Sequence, residues 1–386
     1  AEGPAAMSHG AIGDAIVAAA RRQPRAGSLT LDDLRAVAPR RLQAVCGAFR
    51  AYRVCAPPPP SSANAMIAIL GLYERARPHP IGPNNTDDWA AYLWASELAF
   101  ADRDHYMADD QFVQAPTTAL IAPAYLDQRA QMIDVAHAPA RAVQPGMPAG
   151  QDLFDHWGRE ASDDAGTSHI SIVDGWGNAV AMTATVESAF GSQRMVAGFM
   201  LNNQLTDFAF APTLNGKPVA NAVAPGKAPR SSMSPTIVTD RNGRLVLVTG
   251  SPGSSAIIGY VARTTIGILD WNMPVQDAIN LGNATGRGMP VRIDGPAHVR
   301  LLAVWDMNHR GSGHLSARQL GACRASISHY EEFLSAPADL TLISGDFNNS
   351  VHWDKPSKKA KFGDFMDYLE NRQFISAYHT AVGAKR

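Results

Sequence analysis

The sequence predicts an α+β fold, and three observations carry this prediction. Helical patterns dominate roughly the first hundred residues, strand patterns fill residues 167–250, and an apolar strand, a helix and another apolar strand follow after residue 295. The chain has 386 residues, of which 46% are hydrophobic, so it can bury a sizeable core and form about two or three domains. Its formal net charge of −1 and one short lysine run near 355–361 give no indication of a nucleic-acid partner.

Helices are predicted first, at 10–26, 29–38, 64–76 and about 87–102. The first is amphipathic, with Ile12, Ile16, Val17 and Ala20 at helical spacing. The second begins at an N-cap supplied by Ser28 or Thr30. The third follows a proline run, which cannot itself continue a helix.

A β-hairpin is the clearest strand signal. The alternating segment that opens at Thr167 leads to the turn residues 174–178, and a second alternating segment returns over residues 179–187. Because side chains alternate between the two faces of a strand, Thr183, Thr185 and Glu187 are expected on the same face.

Thr167 is a candidate nucleophile. A threonine hydroxyl needs an adjacent base, and a threonine that is the first residue of a chain can use its own α-amino group. If the bond between Gly166 and Thr167 is cut, Thr167 gains an amine whose unperturbed pKa is about 7.7–8.0, which suits a base near neutral pH. By itself, a threonine that opens a strand is more often there for its β-branched shape.

Three blocks downstream extend this pattern, at residues 201–208, 225–236 and 248–255. In this order and spacing they resemble the small subunit of the γ-glutamyltransferase family, N-terminal nucleophile hydrolases that mature by cutting themselves. Four upstream blocks resemble the last half of that family's large subunit: Gly27 to Leu34, Pro57 to Ser62, Phe100 to Arg103 and Ala124 to Arg129. The resemblance covers residues 8–294 and lacks the start of the large subunit.

The resemblance implies a role for each matching residue. Thr167 matches the nucleophile and, with Gly166, the cleavage site, while Thr185 matches the second threonine that orients it. Gly253 and Ser254 stand where the family has a glycine pair whose N–H groups form the oxyanion hole. The residues that match the binding set for the glutamyl group are Glu187, Gln204, Asp207, Ser231 and Ser232.

The resemblance also implies the architecture and the partners. It implies a four-layer αββα sandwich, with large-subunit residues 1–166 and small-subunit residues 167–295 followed by a separate fragment, residues 296–386. Residues 138–152, rich in Ala, Pro and Gly, are expected to be the mobile linker before the cleavage site. The expected partners are a small γ-glutamyl substrate such as glutathione and an amine or water acceptor, with no cofactor and with association of the cleaved subunits.

Two departures from the family bear on activity. Ser254 replaces a glycine, and a side chain there could change the backbone angle that aims an oxyanion donor. Glu187 stands where many transpeptidases carry asparagine, which keeps open a cephalosporin or glutaryl acylase-like amidase. The arginine that pairs with the substrate carboxylate in the family has no assignable counterpart in the sequence.

The last ninety or so residues show a different pattern, with strands predicted near 300–309 and 340–349 and a helix near 316–333. They resemble a fragment of the endonuclease/exonuclease/phosphatase family, in which His309, Asp346 and Asn348 match groups around a phosphate and a metal ion. Because the family's metal-binding glutamate and terminal general base have no counterpart, this fragment is expected to be catalytically silent. A metal-dependent phosphodiesterase and an inactive fusion of two truncated proteins remain alternatives.

Other features set limits. No segment approaches the roughly 18 uninterrupted apolar residues of a membrane helix, and the first residues lack the pattern of a signal peptide, so a periplasmic or a cytoplasmic location stays open. Cys46 and Cys55 could form a disulfide across two strands, but the three cysteines read more simply as small buried apolar residues. The histidines show no metal-binding spacing, and no metal site is predicted.

Overall fold

A computed structural model gives the fold of the chain. It describes residues 3–139, 142–148, 167–214, 216–288, 292–294, 299–305 and 340–346. The chain divides into two compact units, Ala1–Asp294 and Gly295–Arg386. The first unit contains the candidate active site.

The described residues form seven α-helices and fourteen strands. The helices are α1 (Gly10–Arg21), α2 (Leu31–Ala36), α3 (Ala63–Ala76), α4 (Thr86–Tyr106), α5 (Pro123–Ala130), α6 (Ile257–Leu269) and α7 (Val275–Asn280). The strands are β1 (Val45–Phe49), β2 (Tyr52–Ala56), β3 (Thr167–Val173), β4 (Ala179–Thr185), β5 (Met195–Val196), β6 (Phe199–Met200), β7 (Thr213–Leu214), β8 (Lys217–Pro218), β9 (Thr236–Thr239), β10 (Leu245–Thr249), β11 (Asn283–Thr285), β12 (Arg292–Asp294), β13 (Val299–Trp305) and β14 (Leu340–Asp346).

The four predicted N-terminal helices are present, and their ends have identifiable causes. Helix α1 ends at Arg21 rather than at residue 26, because Pro24 lacks an N–H and its ring would clash with the preceding turn. Helix α2 is capped by Thr30, whose Oγ1 accepts the Asp33 N–H at 3.1 Å, while the Asp33 carboxylate accepts the Thr30 N–H at 2.8 Å. Helix α4 continues past the predicted end at 102 to Tyr106, and this extra turn carries Arg103 and Asp104.

The central sheet is antiparallel, with strand order β1–β2–β9–β10. Val54, Val238 and Leu247 are cross-strand neighbours on one face, where they belong to a buried core with α3, α4 and α6. Helix α3 is buried along one continuous stretch from Ala63 to Tyr73, as expected of a helix that is apolar on all sides. The helices therefore cover one face of this sheet.

The hairpin of β3 and β4 faces the opposite side of the central sheet. The Ser171 hydroxyl donates to the Val248 carbonyl of β10 at 3.2 Å, and the His169 ring packs directly against Gly250. These contacts produce a helix layer and two stacked sheets. The outer face of the hairpin is exposed among the described residues, with Ile170 and Ile172 retaining 47% and 53% of their accessible surface, so three of the four predicted layers are seen in the described ranges.

Part of the predicted linker is anchored rather than mobile. Residues 142–148 lie within the described ranges, and the Gly146 N–H donates to the buried Asp102 carboxylate at 2.7 Å. The Gly146 carbonyl accepts the Tyr106 hydroxyl at 2.8 Å. A buried carboxylate is costly unless it accepts hydrogen bonds, so the Asp102 carboxylate holds the segment that supplies the Gly146 N–H. Residues 138–139 are also described, whereas residues 140–141 and 149–152 of the predicted linker lie outside the described residues.

Cys46 and Cys55 form a disulfide, so the simpler reading of them as unpaired apolar residues is wrong. They lie directly opposite each other in the β1–β2 pair, with their Cα atoms 4.1 Å apart. The strand register, which brings the two Cβ atoms together, was not fixed by the spacing alone.

The disulfide is expected to stabilise the first unit. It closes a short loop with a sequence separation of 9, for which the chain-entropy estimate is about 2–3 kcal/mol. The double variant Cys46→Ala/Cys55→Ala should lose about that much in urea unfolding. Alkylation of the unfolded, unreduced protein should modify a single cysteine, and modification of three would contradict the bond.

The second unit contains two parallel strands. Strands β13 and β14 pair in register from Val299↔Leu340 to Trp305↔Asp346. They correspond to the strands predicted near 300–309 and 340–349, whereas the helix predicted near 316–333 lies outside the described residues. None of the helices in the described part of the chain combines the length and apolar character needed to cross a bilayer.

Candidate active site

The two threonines singled out in the sequence face each other across the hairpin. Thr167 is the first residue of β3, Thr185 is the last residue of β4, and the register pairs them directly. Their hydroxyl oxygens are 3.0 Å apart, and Thr185 Oγ1 also accepts the N–H of Glu187 at 2.8 Å. Since Thr185 is held by the backbone, it can fix the orientation of the Thr167 hydroxyl.

The turn of the hairpin sets this register. Asp174 Oδ1 accepts the N–H groups of Trp176 and Asn178 at 2.9 and 2.8 Å, and Gly177 has a φ of +87°. An aspartate that bonds to the backbone two and four residues on is typical of a tight turn. A slip of one residue would move Thr167 to the other face of the strand.

Glu187 is buried and adopts an unusual backbone conformation. Only 7% of the surface of Glu187 is exposed, and its φ is +75°. A non-glycine residue in this region costs roughly 1–2 kcal/mol, so the neighbouring structure must hold it there. That support comes from Asn203, which accepts the Ser188 N–H at 2.9 Å and donates its own N–H to the Val186 carbonyl at 3.2 Å.

Gln204 and Asp207 lie at the two ends of one 3₁₀ turn, Gln204–Asp207. Side chains three residues apart eclipse in such a turn, and the Gln204 side-chain amide donates to the Asp207 carboxylate. The Asp207 carbonyl accepts the side-chain N–H of Asn221 at 2.6 Å, and the Asn221 oxygen accepts the Arg230 N–H at 3.0 Å. Asn221 thereby links this turn to the serine pair.

Ser231 and Ser232 are held by the proline-rich run. The Ser231 N–H donates to the Pro60 carbonyl at 2.9 Å, and the Ser62 N–H donates to the Ser231 carbonyl at 2.8 Å. Behind the pair, Arg103 Nη2 donates to Ser232 Oγ at 2.7 Å. These contacts bring together segments that are far apart in sequence.

Gly253 and Ser254 both have positive φ angles, +128° and +51°. Ser254 therefore adopts the left-handed conformation for which a glycine is usual, at a cost of roughly 1–2 kcal/mol. The sequence raised the concern that a side chain at position 254 would change this backbone angle. The structure keeps the left-handed conformation despite the serine. Ser254 is also the first residue of the 3₁₀ turn Ser254–Ala256, which leads into α6.

One open pocket joins these segments. Every predicted catalytic and substrate-binding residue except Gly253 lines it, and Gly253 adjoins the lining residue Ser254. The remaining lining residues were not predicted: Arg230, Met233, Ser255 and Ile257. The pocket thus has two acidic residues in its lining, Glu187 and Asp207, whereas the side chain of its basic residue, Arg230, is fully buried and paired with Asp104.

Sequence reasoning missed the arginines and Asn221. Arg103 and Arg230 are almost fully buried, and both are tied to Asp104, at 2.8 and 3.5 Å. Arg230 directly precedes the predicted serine pair, and that adjacency was the one signal available. Arg103 belongs to the block Phe100 to Arg103, which carried a resemblance but no predicted role.

His169 lies on the pocket side of β3, two residues after Thr167. Its Nδ1 is 2.8 Å from the Thr183 hydroxyl and its Nε2 is 2.9 Å from the Ser171 hydroxyl. Burial lowers the pKa of His169 below its ordinary value of 6.5. The neutral ring is therefore the form that fits between these two hydroxyls.

Stability should fall in acid partly because of His169. Between pH 6.5 and the lowered pKa of the folded protein, the unfolded chain binds this proton and the folded chain does not. The free energy of unfolding should therefore decrease as the pH falls through this window. His169→Gln should flatten that dependence in urea titrations at several pH values. Equal slopes in the native protein and in this variant would contradict the assignment.

Four predicted residues remain. Gly166, His309 and Asn348 lie outside the described residues. Asp346 is the last residue of β14, in the second unit. Among the residues that the structure describes, no group of three or more His, Cys, Asp or Glu side chains could hold a metal ion.

Two stacked sheets with helices on one side, and a threonine as the first residue of a strand in the second sheet, are consistent with the fold class of the N-terminal nucleophile hydrolases. Cephalosporin acylase from Bacillus halodurans has a similar fold, with a TM-score of 0.61, 20% identity and coverage of 75% of this chain and 49% of that one. The chain belongs to the gamma-glutamyltranspeptidase family, whose model matches residues 1–340.

Two curated relatives illustrate this membership. The chain is 36% identical over 289 residues to a glutathione hydrolase proenzyme of Escherichia coli strain K12. This match covers 72% of this chain and 47% of that protein. It is 30% identical over 282 residues to the acylase ACY 1 proenzyme of Pseudomonas sp. strain V22, with coverage of 72% and 47%. The chain spans about half the length of the curated relatives it matches.

These comparisons do not support the resemblance of residues 297–386 to the endonuclease/exonuclease/phosphatase family. The transpeptidase family model extends across residues 297–340 of that segment. The short pattern around Asp346 occurs in unrelated loops, and the parallel pairing of β13 and β14 is a feature of many α/β folds.

Proposed function

We propose that this chain carries the catalytic part of a self-cleaving threonine amidohydrolase or acyltransferase that acts on γ-glutamyl amides such as glutathione. The observation that carries the proposal is the 3.0 Å contact between the Thr167 and Thr185 hydroxyls, in a pocket that also contains Glu187, Asp207 and the serine pair. The proposed subunits are residues 1–166 and 167–295, the latter followed by residues 296–386.

The first step is self-cleavage. Thr167 Oγ attacks the Gly166 carbonyl carbon, the peptide C–N bond breaks, and the Thr167 nitrogen takes up a proton to become an amine. The resulting ester is hydrolysed by water, which leaves a carboxylate on Gly166 and returns the hydroxyl to Thr167. The new α-amine then lies in the same residue as the nucleophile.

The second step transfers the acyl group. The Thr167 amine accepts the hydroxyl proton as the oxygen attacks the γ-carbonyl of the substrate, and the same proton passes to the departing amine. In this proposal, backbone N–H groups near Gly253 and Ser254 donate hydrogen bonds to the developing oxyanion. Water or a second amine then cleaves the acyl-enzyme, which regenerates Thr167.

The polar side chains of the pocket favour an acyl group that is itself an amino acid. Glu187 and Asp207 are suited to its ammonium group, and the hydroxyls of Ser231 and Ser232 are suited to its carboxylate. A γ-glutamyl group has both charges at the end remote from the reacting carbonyl.

Intact mass spectrometry and an amide assay test the proposal together. Purified protein should separate under denaturing conditions into fragments 1–166 and 167–386, and it should release 4-nitroaniline from γ-glutamyl-4-nitroanilide. A chain that hydrolyses the anilide while its mass stays at 41.2 kDa would refute the mechanism. An uncut, inactive protein would favour the alternative of an inactive fusion.

A second candidate is an acylase that prefers acyl groups without an ammonium group. The identity of 30% to an acylase proenzyme favours it. Glutaryl-4-nitroanilide, which lacks only the ammonium group, separates the two candidates. A higher kcat/KM on the glutaryl compound than on the γ-glutamyl compound would replace the first candidate by the second.

The two fragments are expected to stay together after cleavage. Strand β2 from the first fragment pairs with β9 from the second in one sheet, and Arg50 makes a two-pronged ion pair with Asp270 at 2.9 and 2.7 Å. Since the shared core cannot be exposed without a large loss of apolar burial, the fragments should co-elute in size exclusion and separate only in denaturant. Elution as two species in native buffer would contradict this prediction.

No separate activity is proposed for residues 296–386. Two of the three residues matched to a phosphoesterase lie outside the described residues, and no observation places them beside Asp346. A Mg²⁺-dependent phosphodiester assay of the full chain should give the background rate.

A further inference from the structure

Arg103 is held rigidly behind the serine pair. It lies in the last turn of α4 with none of its surface exposed. Its Nη2 donates to Ser232 Oγ at 2.7 Å, and its Nη1 donates to Asp104 Oδ1 at 2.8 Å. Asp104 also contacts Arg230 at 3.5 Å and Arg287 at 3.7 Å, so the carboxylate is fixed on several sides.

This contact fixes the role of the Ser232 hydroxyl. A guanidinium group can only donate hydrogen bonds, so Ser232 Oγ must accept in this pair and its single proton must point elsewhere. Ser231 is held in a similar way, since its Oγ accepts the Met233 N–H at 3.2 Å. Both serines line the pocket, so both can offer a proton to a bound anion. Accepting from a charged donor also strengthens the bond that Ser232 donates.

We propose that Arg103 is a positioning residue that fixes Ser232 as a hydrogen-bond donor and thereby makes the pocket selective for acyl groups that carry a carboxylate at this end. The inference rests on the proposed function, because it assigns the serine pair to the carboxylate end of the γ-glutamyl group. It adds a residue that does not line the pocket and that acts through Ser232.

Ligand binding tests the role without requiring turnover. L-Glutamate and 4-aminobutanoate differ by the α-carboxylate alone, and their dissociation constants can be measured by calorimetry on the full chain. The native protein should bind L-glutamate more tightly. Arg103→Gln should weaken L-glutamate binding about tenfold, the usual effect of losing one charge-assisted hydrogen bond, and should change 4-aminobutanoate binding less than twofold. Arg103→Lys should recover part of the loss.

A double-mutant cycle separates positioning from general support. In the Ser232→Ala background, Arg103→Gln should have less than a twofold further effect on L-glutamate, because the residue through which it acts is gone. Arg263→Gln is the matched control, since Arg263 is equally buried but donates to Asn283 and to the Ala278 carbonyl. That variant should lower the melting temperature without changing the ratio of the two dissociation constants.

Three results would overturn the inference: equal weakening of both ligands by Arg103→Gln, full additivity with Ser232→Ala, or no preference of the native protein for L-glutamate. If Arg103→Gln does not fold, Arg103→Lys and Ser232→Ala decide, and an unchanged ligand ratio in Ser232→Ala would overturn it. Selective L-glutamate binding by a protein that neither cleaves itself nor hydrolyses amides would overturn the proposed reaction and support the role of Arg103.

Discussion

Thr167→Ala should remain a single chain and lose essentially all amide hydrolysis. The substitution removes the oxygen that attacks in both proposed steps, and without self-cleavage the α-amine that serves as base is never formed. A loss of about 10⁴-fold or more in kcat is expected, since removing a nucleophile abolishes the whole catalytic unit. Intact mass and the 4-nitroanilide assay measure the two effects on one sample.

Two neighbouring variants serve as controls. Thr167→Ser keeps both the hydroxyl and the future amine, so it should still cleave and turn over, at a reduced rate. Ser168→Ala changes an exposed residue on the other face of β3 and should behave like the native protein. In the native enzyme, kcat/KM should rise with pH as the α-amine loses its proton, near its ordinary pKa of about 7.7–8.0. Normal turnover by Thr167→Ala would exclude this residue as the nucleophile.

Gly253→Ala should lose about 10²–10³-fold in kcat while the protein stays folded. A Cβ at this position would lie 2.8 Å from Cδ2 of the Tyr260 ring and closer still to Cε2, and the φ of +128° is one that side chains rarely tolerate. The backbone must shift, which misdirects the N–H groups proposed for the oxyanion, and loss of one such donor has this magnitude. The effect should fall on kcat far more than on KM, as steady-state assays at several substrate concentrations will show.

Gly243→Ala is the matched control for backbone strain. Gly243 has a φ of +80°, but a Cβ there would meet nothing within 4 Å. This variant should cost about 1 kcal/mol of stability and leave kcat unchanged. Ser254→Gly should have the opposite sign, with a gain of about 0.5–1 kcal/mol, because it relieves a left-handed serine. A Gly253→Ala enzyme with native kcat would show that this backbone does not bind the oxyanion.

Much of the site was predictable because its main residues lie at fixed spacings along the chain. The alternation of the hairpin put Thr183 and Thr185 on one face, and the turn residues 174–178 fixed which threonine faces Thr167. The lengths of the helices were less well predicted, because helix ends depend on caps and on buried contacts. Helix α4 runs past residue 102 since the buried Arg103 finds partners in Asp104 and Ser232.

The sequence by itself determined the helices and the hairpin, since these follow from backbone periodicity and turn chemistry, while the candidate nucleophile and the binding residues followed from the resemblance to a family. Only the tertiary structure decided which distant groups meet: Cys46 with Cys55 across a strand pair, Arg50 with Asp270, and Arg103 with Ser232, 129 positions away. The physical reason is range. A local pattern is fixed by neighbouring dihedral angles, whereas the partner of a buried charge is fixed by how whole elements pack, and that packing is not written in the spacing of any one segment.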